Sequence, residues 1–505
     1  MNLARMFEMA AGREPHAIAL IEGDRVLSYR DMHAAVNRVA HALHKLGIGR
    51  RDRVMSLMKN RQQTVVLFWA VQKVGAVFVP LNYHMAPGDV ERCILDVEPK
   101  LICFERATRN ALRSIRLPEK PIYVSLDPDD GDITWDELLR NGMPAFEAAP
   151  VEDDDPAIML YTSGTSGHPK GVPKSHKNEY VSTLSQVIQN RYDRTDVMLG
   201  VMPLYHTMGI HSYLAMAFLN GRYIIVHDVT EESLADTLHF HTVTCLYAMP
   251  TLFRRLLQSG RVDPERLRHI RKIGYAGASM PDTLIRACFD AFQPDVFLNH
   301  YGSTEIHTFT TCTYLHEKPG CAGRPGINQL IRVVAIHPDA RPEDEVEPGD
   351  VGQVIAYMGS PEAFKGYWNR PDLTRQAIRD GWYYTGDLGM RDPDGDLYIV
   401  GRMDDVVVSG VDRVWPGKVE RVLEHHPDVQ EVAVVGQHDD QLGHIVTAFI
   451  VSHREDLTPF ELDRFCQRDG RLSDFERPRK YVFIDRLPRD ASGKVIRRAL
   501  VEWAE

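Results

Sequence analysis

Helical and strand-like periodicities alternate along the first part of this chain, and that alternation restricts its fold more than any other feature. Residues 29–46 carry apolar side chains at helical spacing, and 53–57 read as a short strand. Residues 65–74 read as a second helix and 76–80 as a second strand ahead of a turn. That order predicts an α/β fold with a largely parallel, helix-covered sheet. No period of 20–50 residues repeats, which excludes solenoids and propellers. At about 100–200 residues per domain, 505 residues predict two to four domains.

The formal charge of −11 gives no basic footprint for nucleic acid or for an anionic membrane surface. The most apolar stretch, 65–81, is broken by Gln72 and Lys73 and falls short of the ~20 residues that span a bilayer. The N-terminus lacks the apolar run of a secretory signal, and the C-terminus carries no lipidation signal. Seven scattered cysteines show neither CxxC pairs nor zinc spacing, which predicts buried free thiols in a reducing compartment. The expectation is a cytoplasmic protein with no membrane span and no nucleic-acid partner.

Residues 144–154 are polar, acidic and Pro-containing, and read as a surface loop separating the first block from the next. A stronger boundary falls near 403. Before it, 381–396 is dense in Gly and Asp turns around a Trp-Tyr-Tyr cluster. After it comes a compact block with strands at 432–435 and 446–451 and helices at 418–424 and 459–466. This predicts a large N-terminal domain, 1–403, and a small α+β C-terminal domain, 404–505, joined by a short hinge.

The run YTSGTSGHPKG (161–171) follows a strand-like segment at 157–161. Its glycines let backbone N–H groups approach an anion, its hydroxyls add donors, and Lys170 adds a point charge. It is not a Walker P-loop, because His-Pro-Lys follows the second glycine. Taken alone, it reads equally well as a Ser/Gly-rich surface loop. Six further segments decide between the two: PLYHTMG (203–209), YAGAS (275–279), YGSTE (301–305), YTGDL (384–388), GRMDD (401–405) and RDASGK (489–494). Together and in this order they resemble the acyl-adenylate-forming superfamily of acyl-CoA synthetases, adenylation domains and luciferases. The flanking text is most similar to the 4-chlorobenzoate:CoA type of aryl-CoA ligase.

The resemblance implies a large ATP- and acyl-binding domain with a small mobile lid, Asp404 being the hinge. It implies that Thr162, Ser163, Gly164, Thr165 and Lys170 hold the β- and γ-phosphates of ATP, and that Glu305 binds Mg²⁺, with Thr304 on the α-phosphate. Asp387 and Arg402 would hold the ribose, while Gly277, Ala278, Ser279 and Tyr301 frame the adenine. Lys494, which alone reads as a solvated turn lysine, would cross the domain interface to the reacting carboxylate and α-phosphate. His206, which follows a strand-like segment at 199–204 and alone reads as a core histidine, would line the acyl pocket and switch the site between steps. Thr207, Met208, Tyr247, His300, Gly302 and His307 would complete that pocket, and Gly410, Val411, Phe475, Arg477 and Arg479 would face CoA.

The implied activity is conversion of a carboxylic acid, aromatic by resemblance, to acyl-AMP and then to its CoA thioester. Two positions on the CoA side depart from the pattern. Val411 replaces a glycine beside the pantetheine tunnel, and Leu442 stands where a tryptophan beside the CoA nucleotide is usual. They leave open a second acceptor, an acyl carrier protein's pantetheine or another nucleophile. A non-catalytic nucleotide-binding protein is a further alternative, but it would have little need of Lys494. His300 and His307 point to an acid with ring hydroxyls or another polar group, unless both bond within the protein.

Overall fold

The computed structural model describes residues 2–112, 115, 119–128, 130–163, 169–409, 412–439, 442–490 and 493–504. Gly164, Thr165, Gly410 and Val411 lie outside the described residues.

The predicted alternation becomes a sheet of seven strands among the described residues. Strand Arg53–Leu57 lies parallel between Val77–Pro80 and Leu101–Phe104. Ile122–Ser125 and Ile133–Thr134 extend one side, and the antiparallel pair Pro156–Ser163 and Pro169–Ser175 ends the other. Phe78 pairs with Ile158, so the 144–154 stretch joins strands of one sheet and does not separate two blocks. Helix Tyr29–Lys45 starts in a capping box between Ser28 and Asp31. Helix Gln62–Lys73 is buried from Thr64 to Lys73, which is why its sequence shows no polar stripe. Its one buried cation, Lys73, is met by Glu8 at 2.5 Å and Asn37 at 2.6 Å.

A second sheet holds nine strands among the described residues. Six neighbours run parallel: Val296–Tyr301, Lys272–Ala276, Cys245–Ala248, Val197–Gly200, Arg222–Ile225 and Ile18–Glu22. The strand expected at 199–204 therefore stops at Gly200. Met202 and Leu204 are buried, but a side chain satisfies their backbone: Asn60 Nδ2 donates to the Met202 carbonyl and Leu204 N donates to Asn60 Oδ1, both at 2.9 Å. Helices His176–Gln189 and Thr207–Leu219 pack together beside this sheet.

An antiparallel sheet follows, built on Ile331–Val334, Gly352–Tyr357, Trp382–Arg391 and Leu397–Arg402. The Gly- and Asp-rich stretch read as turns is thus largely a ten-residue strand. It accommodates Gly386, at φ +75°, next to a register shift. Beyond the short turn Met403–Asp405, strands Val407–Ser409, Asp412–Val414, Val429–Asp439, Gly443–Ser452 and Lys480–Phe483 form a separate sheet. It carries its own apolar core around Val434, Val446, Ile450 and Leu462. All seven cysteines are buried and free. Among the described residues, no helix is long and apolar enough to cross a membrane.

Candidate active site

The site residues gather where parallel strands end. Ala276 and His300 are paired in register on neighbouring strands, so exposed Gly277, Ala278 and Ser279 emerge beside Tyr301 at the carboxyl edge of the sheet. Gly277 sits at φ +84°, a backbone conformation that favours glycine, and a Cβ there would fall 2.5 Å from Met249 Sδ. From the antiparallel sheet, Asp387 faces Arg402 in register and accepts from its guanidinium at 3.0 Å through Oδ1. Tyr301 donates its hydroxyl to Asp387 Oδ2 at 2.6 Å. Burial raises the Asp387 pKa, and Arg402 opposes that rise.

The Ser/Gly run lies between two strands of a hairpin, with Thr162 opposite Lys170 and Ser163 opposite Pro169. Lys170 Nζ stands 4.5 Å from the Tyr367 ring centroid, and the Tyr367 hydroxyl donates to Glu305 Oε1 at 2.7 Å. Burial lowers the Lys170 pKa, while Glu305 works to restore it. Glu305 is 6 % exposed, a hard oxygen donor of the kind that suits a divalent cation shared with phosphate oxygens. Buried Lys174 anchors this segment by donating to the Glu305 carbonyl at 3.0 Å and the Glu362 carbonyl at 2.6 Å. The sequence reading named neither Tyr367 nor Lys174. Lys174 follows Lys170 by four residues on the same strand, the one local signal available.

On the side expected to hold the acid, His206 caps helix Thr207–Leu219, its Nδ1 accepting from Met208 N at 3.3 Å. Burial, with help from the Lys494 charge, pushes His206 down to about 4. Tyr247, Thr207, Met208, His300 and His307 are all buried. His300 Nε2 faces the His307 carbonyl at 3.1 Å and therefore carries a proton, so its Nδ1 accepts from the Tyr247 hydroxyl at 2.9 Å. His307 Nε2 donates to Gln186 Oε1 at 3.2 Å, and its Nδ1 lies 3.2 Å from the Thr207 hydroxyl. Every ring nitrogen of His300 and His307 thus has a protein partner. Their polarity is accounted for within the fold and does not by itself call for a polar acid. Gly302 packs so closely that a Cβ would fall 1.9 Å from the His307 carbonyl oxygen.

The C-terminal block closes over this edge. Arg489 donates to the Gly493 carbonyl at 2.8 Å and Lys494 N to Asp490 Oδ1 at 3.0 Å, shaping a turn in which Gly493 takes φ +89°. A Cβ on Gly493 would lie 3.2 Å from Thr251 Oγ1, so the turn sits directly on the large domain. The Lys494 charge acts on both His206 and Asp387. Arg254 donates to the Gln430 carbonyl across the same boundary. Asp404 is exposed within the Met403–Asp405 turn. Of the residues expected to face CoA, Phe475 is 38 % exposed, and Arg477 is paired with Asp463 and Asp474, each at 3.1 Å.

Known proteins share this arrangement. The profile of the AMP-binding enzyme family matches residues 7–368, and that of the AMP-binding enzyme C-terminal domain matches 418–494. The 4-chlorobenzoate–CoA ligase of Arthrobacter sp is 30 % identical over 506 residues, spanning 98 % of this chain and 94 % of the relative. The indoleacetate–CoA ligase of Aromatoleum aromaticum is 29 % identical over 511 residues, spanning 98 % and 96 %. Among solved structures, ATP-bound MatB from Rhodopseudomonas palustris superposes with a TM-score of 0.90 at 30 % identity, covering 100 % of this chain and 99 % of MatB. The anthranilate CoA ligase AuaEII in complex with anthranoyl-AMP gives 0.90 at 25 % identity, covering 100 % and 97 %.

Proposed function

This chain belongs to the AMP-binding enzyme family, and from that premise we infer that it joins a carboxylic acid to coenzyme A in two steps. In the first, an ATP-dependent, AMP-forming acid–CoA ligase lets an acid oxygen attack the α-phosphorus of ATP; pyrophosphate leaves and acyl-AMP remains. In the second, the CoA sulfur attacks the acyl carbon, the thiol gives up its proton, and AMP leaves. Such chemistry depends on positioning and on cations placed against developing negative charge.

The observation that carries this reading is the seating of the Gly493–Lys494 turn against Thr251, with the Lys494 charge acting on both His206 and Asp387. A cation on that turn is within electrostatic reach of both His206 and Asp387. Thr162, Ser163, Gly164, Thr165 and Lys170 take the β- and γ-phosphates. Thr304 takes the α-phosphate, Asp387 and Arg402 the ribose, and Gly277 to Ser279 with Tyr301 the adenine. Glu305 fits Mg²⁺, which when bound neutralises phosphate charge. His206, Thr207, Met208, Tyr247, His300, Gly302 and His307 enclose the acid. Relatives named for chlorobenzoate and indoleacetate, and a neighbour holding anthranoyl-AMP, favour an aromatic acid. The lid is 404–505, turning about Asp404, with Gly410, Val411, Phe475, Arg477 and Arg479 toward CoA.

One position favours a second acceptor. Leu442, 41 % exposed, offers an aliphatic surface where an aromatic one would stack on adenine, which suits a pantetheine carried by an acyl carrier protein. Acid-dependent exchange of pyrophosphate into ATP, across benzoates, cinnamates and fatty acids, tests the first step and names the acid class. Exchange supported best by an aryl acid is expected; exchange without any acid dependence would defeat the reading.

A further inference from the structure

Behind the acyl pocket lies a buried pair that no motif of the sequence marks. Glu179 on helix His176–Gln189 and His211 on helix Thr207–Leu219 are each 1 % exposed. His211 Nε2 stands 3.3 Å from Glu179 Oε2. Among the described residues, neither Glu179 oxygen has a well-aligned hydrogen-bond donor. A carboxylate taken out of water without full pairing is costly, so its presence at such a depth calls for a role. Burial works against the Glu179 charge, but His211 and Lys174 hold its pKa below the usual carboxylate value.

His211 Nδ1 lies 2.9 Å from the Thr207 carbonyl. A carbonyl and a carboxylate both accept, so one proton stands on Nδ1 toward Thr207 and a second lies between Nε2 and Glu179. The Thr207 hydroxyl lies between two imidazoles, 3.1 Å from His211 Nδ1 and 3.2 Å from His307 Nδ1, and the two rings stack with centroids 3.9 Å apart. His307 then reaches Gln186, on the same helix as Glu179. The five residues close a ring that ties two helices to the segment bearing Glu305.

We propose that Glu179 and His211 are positioning residues for the carboxylic acid: neither touches it, and together they fix the orientation of Thr207 and His307, which line its pocket. The proposal rests on the acid–CoA ligase reading of the site. Lys174 keeps its two carbonyl acceptors whether or not Glu179 is charged. The loss of Glu179 therefore falls on the acid and spares ATP.

Glu179→Gln keeps the side-chain volume and removes the charge. His211→Asn keeps a donor toward the Thr207 carbonyl and removes the atom facing Glu179. Pyrophosphate release would be measured with the acid and ATP varied separately, beside a thermal melt of each variant. Both substitutions are expected to raise KM for the acid about tenfold and to leave KM for ATP within about twofold. The double variant should be no worse than the more damaging single one, because the pair acts as a unit. Thr207→Val, which removes the hydroxyl between the two imidazoles, should reproduce the acid-side defect even if Glu179→Gln fails to fold. Parallel changes in both KM values, additive losses, or folded variants with unchanged kinetics would overturn the proposal. A wild-type protein that releases no pyrophosphate with any acid would instead defeat the ligase reading, and this proposal with it.

Discussion

Tyr301 holds Asp387 from one side while Arg402 holds it from the other: the Tyr301 hydroxyl meets Oδ2 at 2.6 Å and the Arg402 guanidinium meets Oδ1 at 3.0 Å. The carboxylate is thus oriented at the sheet edge before any nucleotide arrives. A hydrogen bond to a charged group contributes about 1.5–3 kcal/mol. On the ribose role proposed for it, Asp387→Ala should lower kcat/KM for ATP by about 100-fold or more. Tyr301→Phe removes only the orienting bond and should cost about tenfold. Steady-state rates with ATP varied check both, and equal losses would contradict this division of roles.

Lys494 should matter to one half-reaction only. Removing a charge aimed at the developing transition state costs on the order of 100- to 1000-fold. Lys494→Ala should show that loss in pyrophosphate release, yet form thioester from preformed acyl-AMP and CoA within about threefold of wild type. Equal defects in both assays would mean that the turn at 489–494 only supports the small block.

Tyr367 bridges Lys170 and Glu305 with its ring and its hydroxyl. Tyr367→Phe keeps the ring and loses one hydrogen bond to a carboxylate, a loss of about 1.5 kcal/mol or about tenfold in rate. Tyr367→Leu also loses the cation–π contact, worth about 0.5–2 kcal/mol more. Titrating Mg²⁺ at fixed ATP should show both variants needing more metal, with Leu the more severe. Phe and Leu behaving alike would remove Lys170 from the bridge.

Acid should destabilise the fold through buried histidines. His176 and His300 are 0 % and 2 % exposed, and burial holds both at about 4. Unfolded, each titrates near about 6.5, so the unfolded chain binds the proton that the fold refuses. Stability is complete above that value and falls as pH drops from about 6.5 toward 4, by up to about 1.4 kcal/mol per pH unit for each histidine. Thermal midpoints measured from pH 8 to 5 should decline below about 6.5, and His176→Asn should flatten the decline. A midpoint that holds steady between pH 7 and 5 would contradict it.

Local patterns were legible where local physics decides. Strand Arg53–Leu57 lies at its predicted residues, and helix Tyr29–Lys45 ends one residue early. The errors share one cause: apolar or turn-rich text was read without its tertiary partners. Met202 and Leu204 look like strand, but Asn60 takes over their backbone bonds. The 381–396 segment looks like turns, but pairing on both sides makes Trp382–Arg391 a strand. The motif residues can be named from sequence because they sit in short contiguous runs. Tyr367, Gln186, Glu179 and His211 were not, since their roles exist only where separate segments meet.

The most direct test of the central claim follows pyrophosphate and thioester together, with ATP, Mg²⁺ and the best aryl acid, in the presence and absence of CoA. An acid–CoA ligase should release pyrophosphate faster when CoA is added, with the aryl-CoA mass appearing in step with AMP. A single acid-dependent burst of pyrophosphate, unchanged by CoA and followed by no thioester, would contradict the assignment of CoA as the acceptor.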